Sequence, residues 1–323
     1  MENMIKRQLT RDELAALIAR AFGEQVEITE VHELKDGWFN SAYDLTLNDG
    51  SRAVLKVAPH AGAGMMRYER NVMKTEVEVL RLLRGTGNIP VPEVYYYEVE
   101  EGGNECFLME YLHGTPYNKI KEQLLPEERG QIEEELGRLS RYINEIQSDR
   151  FGYFALEEQQ GSDWLTVFSD MVSGLLADAK DKDIELPASE EQIKSAIALR
   201  KSSLEEVTVP RLVHWDLWDG NVFVDSGRIT GIIDCERALW GDPLMEYYFR
   251  TLAGDHSAFL KGYGKEAFTN LEKERLELYD LYLALILHIE CTYRQYSDEN
   301  HRRWASEHLQ QCWESIAGTS SEK

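Results

Sequence analysis

The segment that most restricts how this chain can fold is residues 213–235, which read VHWDLWDGNVFVDSGRITGIIDC. Two short alternating apolar runs, joined by Ser226 and Gly227, predict a β-hairpin. One histidine, two aspartates and one asparagine stand directly ahead of the hairpin. A buried carboxylate is unfavourable unless it is paired, hydrogen-bonded or bound to a metal. The segment therefore predicts a functional site built on a hairpin.

The first third of the chain has the pattern of an antiparallel sheet with one central helix. A first helix is predicted at 10–22, because Thr10 and Glu13 have the capping-box spacing. Asn48-Asp49-Gly50 is a typical hairpin turn. The alternating segments that predict the strands are 26–34, 41–47, 51–58, 93–100 and 105–112, and 65–83 predicts the central helix.

After Gly114 the pattern becomes helical. Helices are predicted at 125–147, twice between 162 and 205 with a break near Pro187, and through most of 244–318. The predicted fold class is α+β in two lobes, a five-stranded antiparallel N-lobe and a mostly helical C-lobe with an embedded β-hairpin. We place the N-lobe at residues 1–113 and the C-lobe at 114–323.

Composition excludes several classes of function. The net charge of −23, from 58 acidic and 35 basic residues, argues against nucleic-acid binding, which needs a basic surface. There is no apolar run of 18 residues and no secretory signal, which argues against a membrane partner. The four cysteines are far apart and form no zinc motif or disulfide framework. We expect a cytoplasmic protein that is a monomer or a weak homodimer.

The polar residues ahead of the hairpin have the spacing H-x-D-x-x-x-x-N, in His214, Asp216 and Asn221. This is the spacing of the protein-kinase catalytic loop, where the aspartate faces the substrate hydroxyl and the asparagine binds magnesium. Asp234 follows Asp216 by 18 residues, at the end of the hairpin. A hairpin returns the chain to its start, so Asp234 is expected near Asn221. Oxygen ligands of this kind, together with phosphate oxygens, suit Mg²⁺.

A lysine stands inside an apolar strand in RAVLKV, at position 56. The sequence resembles the V-A-I-K strand whose lysine neutralises the α- and β-phosphates of a bound nucleotide. A buried lysine needs an anionic partner. Glu76, twenty residues later on the predicted central helix, is favoured, and Glu69 and Glu78 are the alternatives.

These motifs together resemble the aminoglycoside phosphotransferase, or choline kinase-like, family of small-molecule kinases, which have a protein-kinase-like fold. The matching stretches occur in order between Asp36 and about Arg250. They are DGWFNSAYDL, AVLKVA, TEVEVLRLL, IPVPEV, FLMEYLHGTP, the segment 213–225 and GIIDCERALWGDPLMEYYF. Protein kinases proper fit less well, because G-x-G-x-x-G, D-F-G and A-P-E are absent.

The resemblance implies ATP or GTP as the phosphoryl donor, Mg²⁺ as cofactor, and a role for each matching residue. Asp216 is implied as the catalytic base, Asn221 and Asp234 as magnesium ligands, and Lys56, paired with Glu76, as the phosphate anchor. Ser41 lies in the implied nucleotide-covering loop, and the main chain of Glu110 and Leu112 in the implied purine-binding hinge. His214 is expected to brace the catalytic loop, and Asp242 to cap the helix that follows it.

The resemblance implies a small hydroxylated molecule as acceptor, and the negative charge of the chain favours a cationic one of the aminoglycoside type. Candidate acceptor contacts are the carboxylates of Asp219, Glu246 and Glu290 and the rings of Trp218 and Trp240. Choline or another amino alcohol and a sugar amine are alternative acceptors. A non-catalytic nucleotide-binding module and a kinase of protein hydroxyls are alternative functions.

Overall fold

The computed structural model describes residues 6–35, 37, 39–60, 64–100, 102–247 and 256–319. Five strands form one antiparallel sheet in the order β1-β2-β3-β5-β4. They are β1 (Ile28–Leu34), β2 (Ser41–Leu47), β3 (Arg52–Val57), β4 (Val94–Val99) and β5 (Glu105–Glu110). The predicted α+β fold class, with its five-stranded sheet, is confirmed. Residues 36, 38 and 248–250 of the family-like stretches lie outside the described residues.

Helices cover both faces of this sheet, which explains why β3 is buried along almost its whole length. On one face, α1 (Arg11–Phe22) buries Leu14, Leu17 and Ile18 against the sheet. On the other face, α2 (Val72–Thr86) buries Val77, Leu80 and Leu83 in the core that continues into the C-terminal part. Each fully buried aliphatic side chain contributes about 1.5–3 kcal/mol by leaving water. A polar side chain pointing inward from β3 is therefore held in a dry interior.

The central helix begins later than the sequence pattern predicts. The pattern indicates a helix from residue 65, but a short 3₁₀ turn, Arg67–Glu69, comes first, and α2 begins at Val72. Asn71 between them is left-handed, with φ 62°. Its side-chain Nδ2 donates a hydrogen bond of 3.1 Å to the Ala155 carbonyl. A contact with a distant loop thus fixes the helix start, which local periodicity cannot show.

The embedded hairpin forms as predicted. Strands β9 (Val222–Asp225) and β10 (Arg228–Ile232) pair antiparallel, and Ser226 and Gly227 have φ of 48° and 77° at the turn. Such a turn, with both central residues at positive φ, matches the twist of the strands. The short strand β6 (Thr115–Pro116) adds to the hairpin, and β7 (Gly152–Tyr153), β8 (Arg211–Val213) and β11 (Leu239–Gly241) form a small sheet beside it.

Helices make up most of the remaining chain, and the break predicted near Pro187 separates α5 from α6. The helices after residue 116 are α3 (Tyr117–Ile120), α4 (Pro126–Asn144), α5 (Trp164–Asp181), α6 (Glu190–Leu199), α7 (Lys201–Leu204), α8 (Ser257–Tyr263), α9 (Asn270–Tyr293) and α10 (Glu299–Thr319). The stretch predicted to be helical from 244 begins with a 3₁₀ turn, Pro243–Tyr247, and residues 248–255 lie outside the described residues. Among the described residues, no helix has the length and apolarity needed to span a bilayer.

Candidate active site

Lys56, Glu76 and Asp234 come together although the sequence separates them widely. The Lys56 ammonium donates to Glu76 Oε1 at 2.6 Å and to Asp234 Oδ1 at 2.7 Å. Lys56 points inward from β3, Glu76 lies on the buried face of α2, and Asp234 follows β10 by two residues. The sheet, the central helix and the hairpin therefore meet at one ammonium group.

Two glutamates on or near α2 were alternatives to Glu76, and the structure pairs both elsewhere. Glu69 binds Arg294 at 2.6 Å. Glu78 lies 3.8 Å from Lys74 on the exposed side of α2. Glu76 is wholly buried, so the lysine contact offsets part of the free energy of removing its charge from water.

The cluster shifts the pKa values of its members in the directions expected for a desolvated ion pair. Burial alone disfavours the charged lysine, but Asp234, Glu76 and Glu236 raise the pKa of Lys56 above its usual value. Burial and the neighbouring carboxylates raise the pKa of Glu76 to about 7, against the lowering effect of Lys56. Burial acts to raise the pKa of Asp234, but Lys56 outweighs it and the net direction is down. Asp234 is therefore the carboxylate that stays charged.

Asp216 and Asn221 face each other across the loop that precedes the hairpin. Asn221 Nδ2 donates to the Asp216 carbonyl at 2.9 Å and to Asp216 Oδ2 at 3.3 Å. Because both contacts use the amide nitrogen, the amide oxygen of Asn221 is left as an oxygen donor for a ligand. Burial raises the pKa of Asp216 well above its usual value, and Asp234 and Glu236 add to this while Arg237 opposes it.

His214 braces the loop, as expected. Its Nε2 donates to the Ile233 carbonyl at 3.0 Å, and its Nδ1 accepts from the Asp216 N–H at 3.3 Å. Burial lowers the pKa of His214 to about 4, so the imidazole is neutral near pH 7 and holds both roles at once. The ring thus ties the residue before Asp234 to Asp216.

Glu246 also fixes this loop through its backbone. Its two carboxylate oxygens accept from the backbone N–H groups of His214, at 3.2 Å, and Trp215, at 2.7 Å. Trp215 has φ 63°, a conformation that costs an L-residue free energy and persists only where the surrounding contacts hold it. The sequence pattern offered Glu246 as an acceptor contact, but at 1% exposure it is a structural cap of the loop.

The donors in this site suit a magnesium ion. Glu76, Asp234 and Glu236 each place a carboxylate oxygen within 4.8 Å of the others. Glu76 Oε2 is buried and has no hydrogen-bond partner among the described residues. Carboxylate, amide and phosphate oxygens are the ligands that Mg²⁺ prefers. Lys56 is the cation that Glu76 and Asp234 contact, and the chemistry of these donors fits a divalent ion.

The loop between β1 and β2 rests on residues of the C-terminal part. Asn40 Nδ2 donates to Glu236 Oε2 at 2.8 Å. The guanidinium carbon of Arg294 lies over the Phe39 ring, 4.6 Å from the ring centroid. The next residue, Ser41, begins β2 opposite Val57, and its buried hydroxyl has no partner among the described residues. An unpartnered buried hydroxyl beside the lysine strand fits the expected position near phosphate oxygens.

Glu110 and Leu112 lie where β5 leaves the sheet. The Glu110 N–H already donates to the Glu93 carbonyl at 2.8 Å, and its side chain contacts Arg84 at 3.1 Å. Leu112 packs on the hairpin, and a Cβ added to Gly231 would lie only 2.2 Å from Leu112 Cδ1. A larger residue at position 231 would therefore require the Leu112 side chain to shift.

The remaining acidic candidates for acceptor binding are already paired. Asp219 accepts from Lys121 at 2.8 Å. Glu290 lies between two guanidinium groups, Arg237 at 2.9 Å and Arg294 at 3.4 Å. Of the candidate rings, Trp240 stacks on Phe154, whereas Trp218 is 40% exposed. These paired carboxylates are therefore less suited to binding a polycationic acceptor, and Trp218 remains as an exposed candidate contact.

Sequence reasoning missed the charge chain Glu69–Arg294–Glu290–Arg237, in which every side chain is buried. Glu290 and Arg294 are four residues apart, but Glu69 and Arg237 come from distant parts of the chain, so no spacing connects them to this pair. Glu290 directly follows the mostly apolar stretch LYLALILHI at 281–289, and this placement is the signal that was available. Asp242, in contrast, lies as expected: its Oδ1 accepts from the Leu244 N–H at 3.1 Å, and its Oδ2 binds Arg275 at 2.8 Å.

Known proteins with this architecture include kinases of small molecules. One, from Haemophilus somnus 129PT and provisionally named a fructosamine-3-kinase, has a TM-score of 0.69 at 20% identity, over 93% of this chain and 96% of its own. An aminoglycoside phosphotransferase, as a thermostable variant with AMP-PNP and hygromycin B, has a TM-score of 0.63 at 19% identity, over 94% and 99%. At these identities the likeness shows the fold.

A third structure, also provisionally named a fructosamine-3-kinase and from Thermobifida fusca YX-ER1, has a TM-score of 0.66 at 17% identity, over 91% of this chain and 98% of its own. No curated protein sequence matches this one. The model of the phosphotransferase enzyme family, which is the aminoglycoside phosphotransferase family, matches residues 30–278. The chain therefore belongs to that phosphotransferase family.

Proposed function

We propose that this phosphotransferase moves the γ-phosphoryl group of ATP or GTP to a hydroxyl group of a small molecule. The observation that carries the proposal is the meeting of Lys56, Glu76 and Asp234 at one ammonium group, beside the Asp216–Asn221 pair. Phosphoryl transfer depends on positioning and on neutralising charge rather than on covalent chemistry by the protein. A fixed ammonium, an oxygen-rich cation site and an adjacent carboxylate are the groups this requires.

Each residue then has a distinct task. Asp216 orients the acceptor hydroxyl and takes its proton, while the acceptor oxygen forms a bond to the γ-phosphorus and the bond to the β-phosphate oxygen breaks. Lys56 neutralises the α- and β-phosphates and Glu76 holds it in place. In this proposal residues 1–113 bind the nucleotide, with Glu110 and Leu112 at the purine, and residues 114–323 supply the catalytic loop and the acceptor site.

Asn221 and Asp234 would hold Mg²⁺, which supplies charge neutralisation on the polyphosphate. The chain's own contribution is to keep those oxygens in place before the ion arrives. His214 fixes Asp216 relative to Ile233, and Glu246 fixes the backbone ahead of Asp216. Ser41 has an unpartnered hydroxyl, among the described residues, at the start of β2.

The acceptor proposed is a hydroxylated molecule of the aminoglycoside type. Support comes from the acidity of the chain and from the fold it shares with structures that hold hygromycin B or streptomycin. The pairing of Asp219 and Glu290 with cations favours a second candidate, a sugar amine with less positive charge. The provisionally named fructosamine-3-kinases of the same fold are consistent with this second candidate.

The test is a nucleoside-diphosphate release assay with ATP and with GTP over a panel of aminoglycosides, sugar amines, choline and other amino alcohols. We expect acceptor-dependent release that Asp216→Asn lowers by about 10²–10⁴-fold, while nucleotide binding, measured by calorimetry, stays the same. Release that no acceptor stimulates, together with intact magnesium-dependent nucleotide binding, would instead identify a non-catalytic nucleotide-binding module.

A further inference from the structure

A second group of reactive side chains surrounds a cavity between α9 and α10, and none of the active-site residues takes part in it. The cavity has a volume of about 190 Å³. Its walls are Glu277 and Asp280 from α9 and one face of α10, which contributes His308, Gln311, Cys312 and Ser315. An imidazole, a thiol and two carboxylates at one cavity are all metal-ligating groups.

His308 and Cys312 are already arranged as two neighbouring ligands. Cys312 Sγ lies 3.7 Å from His308 Nε2, because residues four apart share a helix face. Zinc binds imidazole nitrogen at about 2.0–2.1 Å and thiolate sulfur at about 2.3 Å, so two such atoms in a tetrahedral site are about 3.5 Å apart. The His308 ring also lies parallel to Trp304, at 5.4 Å and 3°, which fixes its plane.

Asp280 supplies the charge that a cation needs. It makes no hydrogen bond or ion pair with another described residue. Burial and the nearby Glu277 raise the pKa of Asp280 to about 7. Glu277 itself lies 3.5 Å from Arg200, whereas no described basic side chain pairs with Asp280. The cavity thus holds an uncompensated carboxylate opposite the His308–Cys312 pair.

We propose that His308, Cys312 and Asp280 bind a divalent metal ion of the zinc class between α9 and α10. Nitrogen and sulfur ligands select zinc over magnesium or calcium, which prefer oxygen alone. No three of these donor atoms lie within 4.8 Å of one another, so binding turns the Asp280 carboxylate into the cavity. The Cys312 thiol loses its proton to solvent as the metal–sulfur bond forms. The ion then joins the two C-terminal helices.

The test uses the full chain, freed of metal by a chelator and titrated with Zn²⁺ alone and with Co²⁺ alone. We expect one equivalent of Zn²⁺ to raise the unfolding temperature and Co²⁺ to give a thiolate-to-cobalt absorption band. Cys312→Ser abolishes that band, and His308→Ala weakens binding by more than tenfold. Unchanged nucleotide binding by both variants shows that they are folded.

Cys235→Ser is the matched control, because Cys235 is a buried cysteine next to the active-site carboxylates. It should keep both the absorption band and the affinity for Zn²⁺. The proposal is wrong if wild-type protein binds no saturating equivalent of Zn²⁺, or if Cys312→Ser binds Zn²⁺ and Co²⁺ as wild type does. A band lost in Cys235→Ser and kept in Cys312→Ser would place the metal at the active site and also overturn it.

Discussion

Asn40 and Glu236 join the two ends of the active site through a buried hydrogen bond of 2.8 Å. Asn40 belongs to the loop that enters β2, and Glu236 stands two residues after Asp234. The bond therefore fixes the loop next to Asp234, one of the two carboxylates that Lys56 contacts. A hydrogen bond to a charged group contributes about 1.5–3 kcal/mol, enough to set the position of a short loop.

Asn40→Ala should weaken nucleotide binding about tenfold, since the loop loses its contact with Glu236 and 1.4 kcal/mol corresponds to a factor of ten. The Michaelis constant for the nucleotide, measured at saturating acceptor, checks this. Asn48→Ala is the control, because Asn48 bonds the Gln25 carbonyl at the exposed hairpin turn. Equal nucleotide constants in the two variants would show that the Asn40–Glu236 contact has no part in binding.

Lys56→Met should lower the free energy of unfolding by about 3–5 kcal/mol, because it leaves Glu76 and Asp234 without their cation. It should also abolish detectable nucleotide binding. Chemical denaturation in magnesium-free buffer measures the first effect. Lys74→Met is the control, since the Lys74–Glu78 pair is exposed and its loss should change stability by no more than about 0.5 kcal/mol. Similar losses in both variants would contradict the assignment.

Glu246→Ala should destabilise the catalytic loop, because two buried N–H groups lose their acceptor. Each such group costs about 1–3 kcal/mol, so we expect a loss of about 2–6 kcal/mol and a lower kcat. Glu246→Gln keeps one oxygen acceptor and should fall between wild type and the alanine variant. Denaturation curves and kcat at saturating substrates measure the two effects, and a kcat that stays unchanged in Glu246→Ala would contradict the capping role.

The convergence of Lys56, Asp216, Asn221 and Asp234 was predictable from the sequence because each part depends on local pattern. Lys56 stands in an apolar strand, Asp216 and Asn221 have a fixed spacing, and a hairpin returns the chain to Asp234. Glu290 and Arg294 have the i,i+4 spacing of a helical pair, but the Asn40–Glu236 bond and the Arg237–Glu290 pair were not predictable. They join segments whose relative positions depend on how α2, α9 and the sheet pack, and periodicity carries no information about that packing.

Asp280 should make stability depend on pH in metal-free protein. Its folded pKa of about 7 lies above the unfolded value of about 3.9. The folded state therefore holds the proton more tightly, and the stability that this contributes is present below about pH 4 and is lost as pH rises through about 7. Because Asp280 is partly exposed, we expect the wild type to lose about 1–3 kcal/mol relative to Asp280→Asn between these limits.

Denaturation of wild type and Asp280→Asn at several pH values measures this difference directly. It cancels the contributions of the other carboxylates that titrate in the same range. Added Zn²⁺ should remove the difference at pH 8, because the ion then supplies the missing positive charge. A difference between the two proteins that is constant from pH 4 to pH 8 would show that Asp280 titrates normally in the folded state.

Trp218 lies two residues after Asp216 in the catalytic loop, with its ring partly exposed to solvent. The ring lies over Gly220, where an added Cβ would be 2.2 Å from Trp218 Cζ2, and the backbone N–H of Trp218 donates to the Asp216 carbonyl at 3.0 Å. A flat, 40% exposed ring held two residues from Asp216 suits stacking against a sugar ring. Stacking contacts contribute about 0.5–1.5 kcal/mol, so Trp218→Ala should raise the acceptor Michaelis constant up to about tenfold.

Trp218→Phe should raise the acceptor Michaelis constant less than Trp218→Ala, and neither variant should change nucleotide affinity. Trp304→Ala, which removes a ring 42% exposed on α10, should leave both constants unchanged. An acceptor constant that is the same in Trp218→Ala and Trp304→Ala would remove Trp218 from the acceptor site.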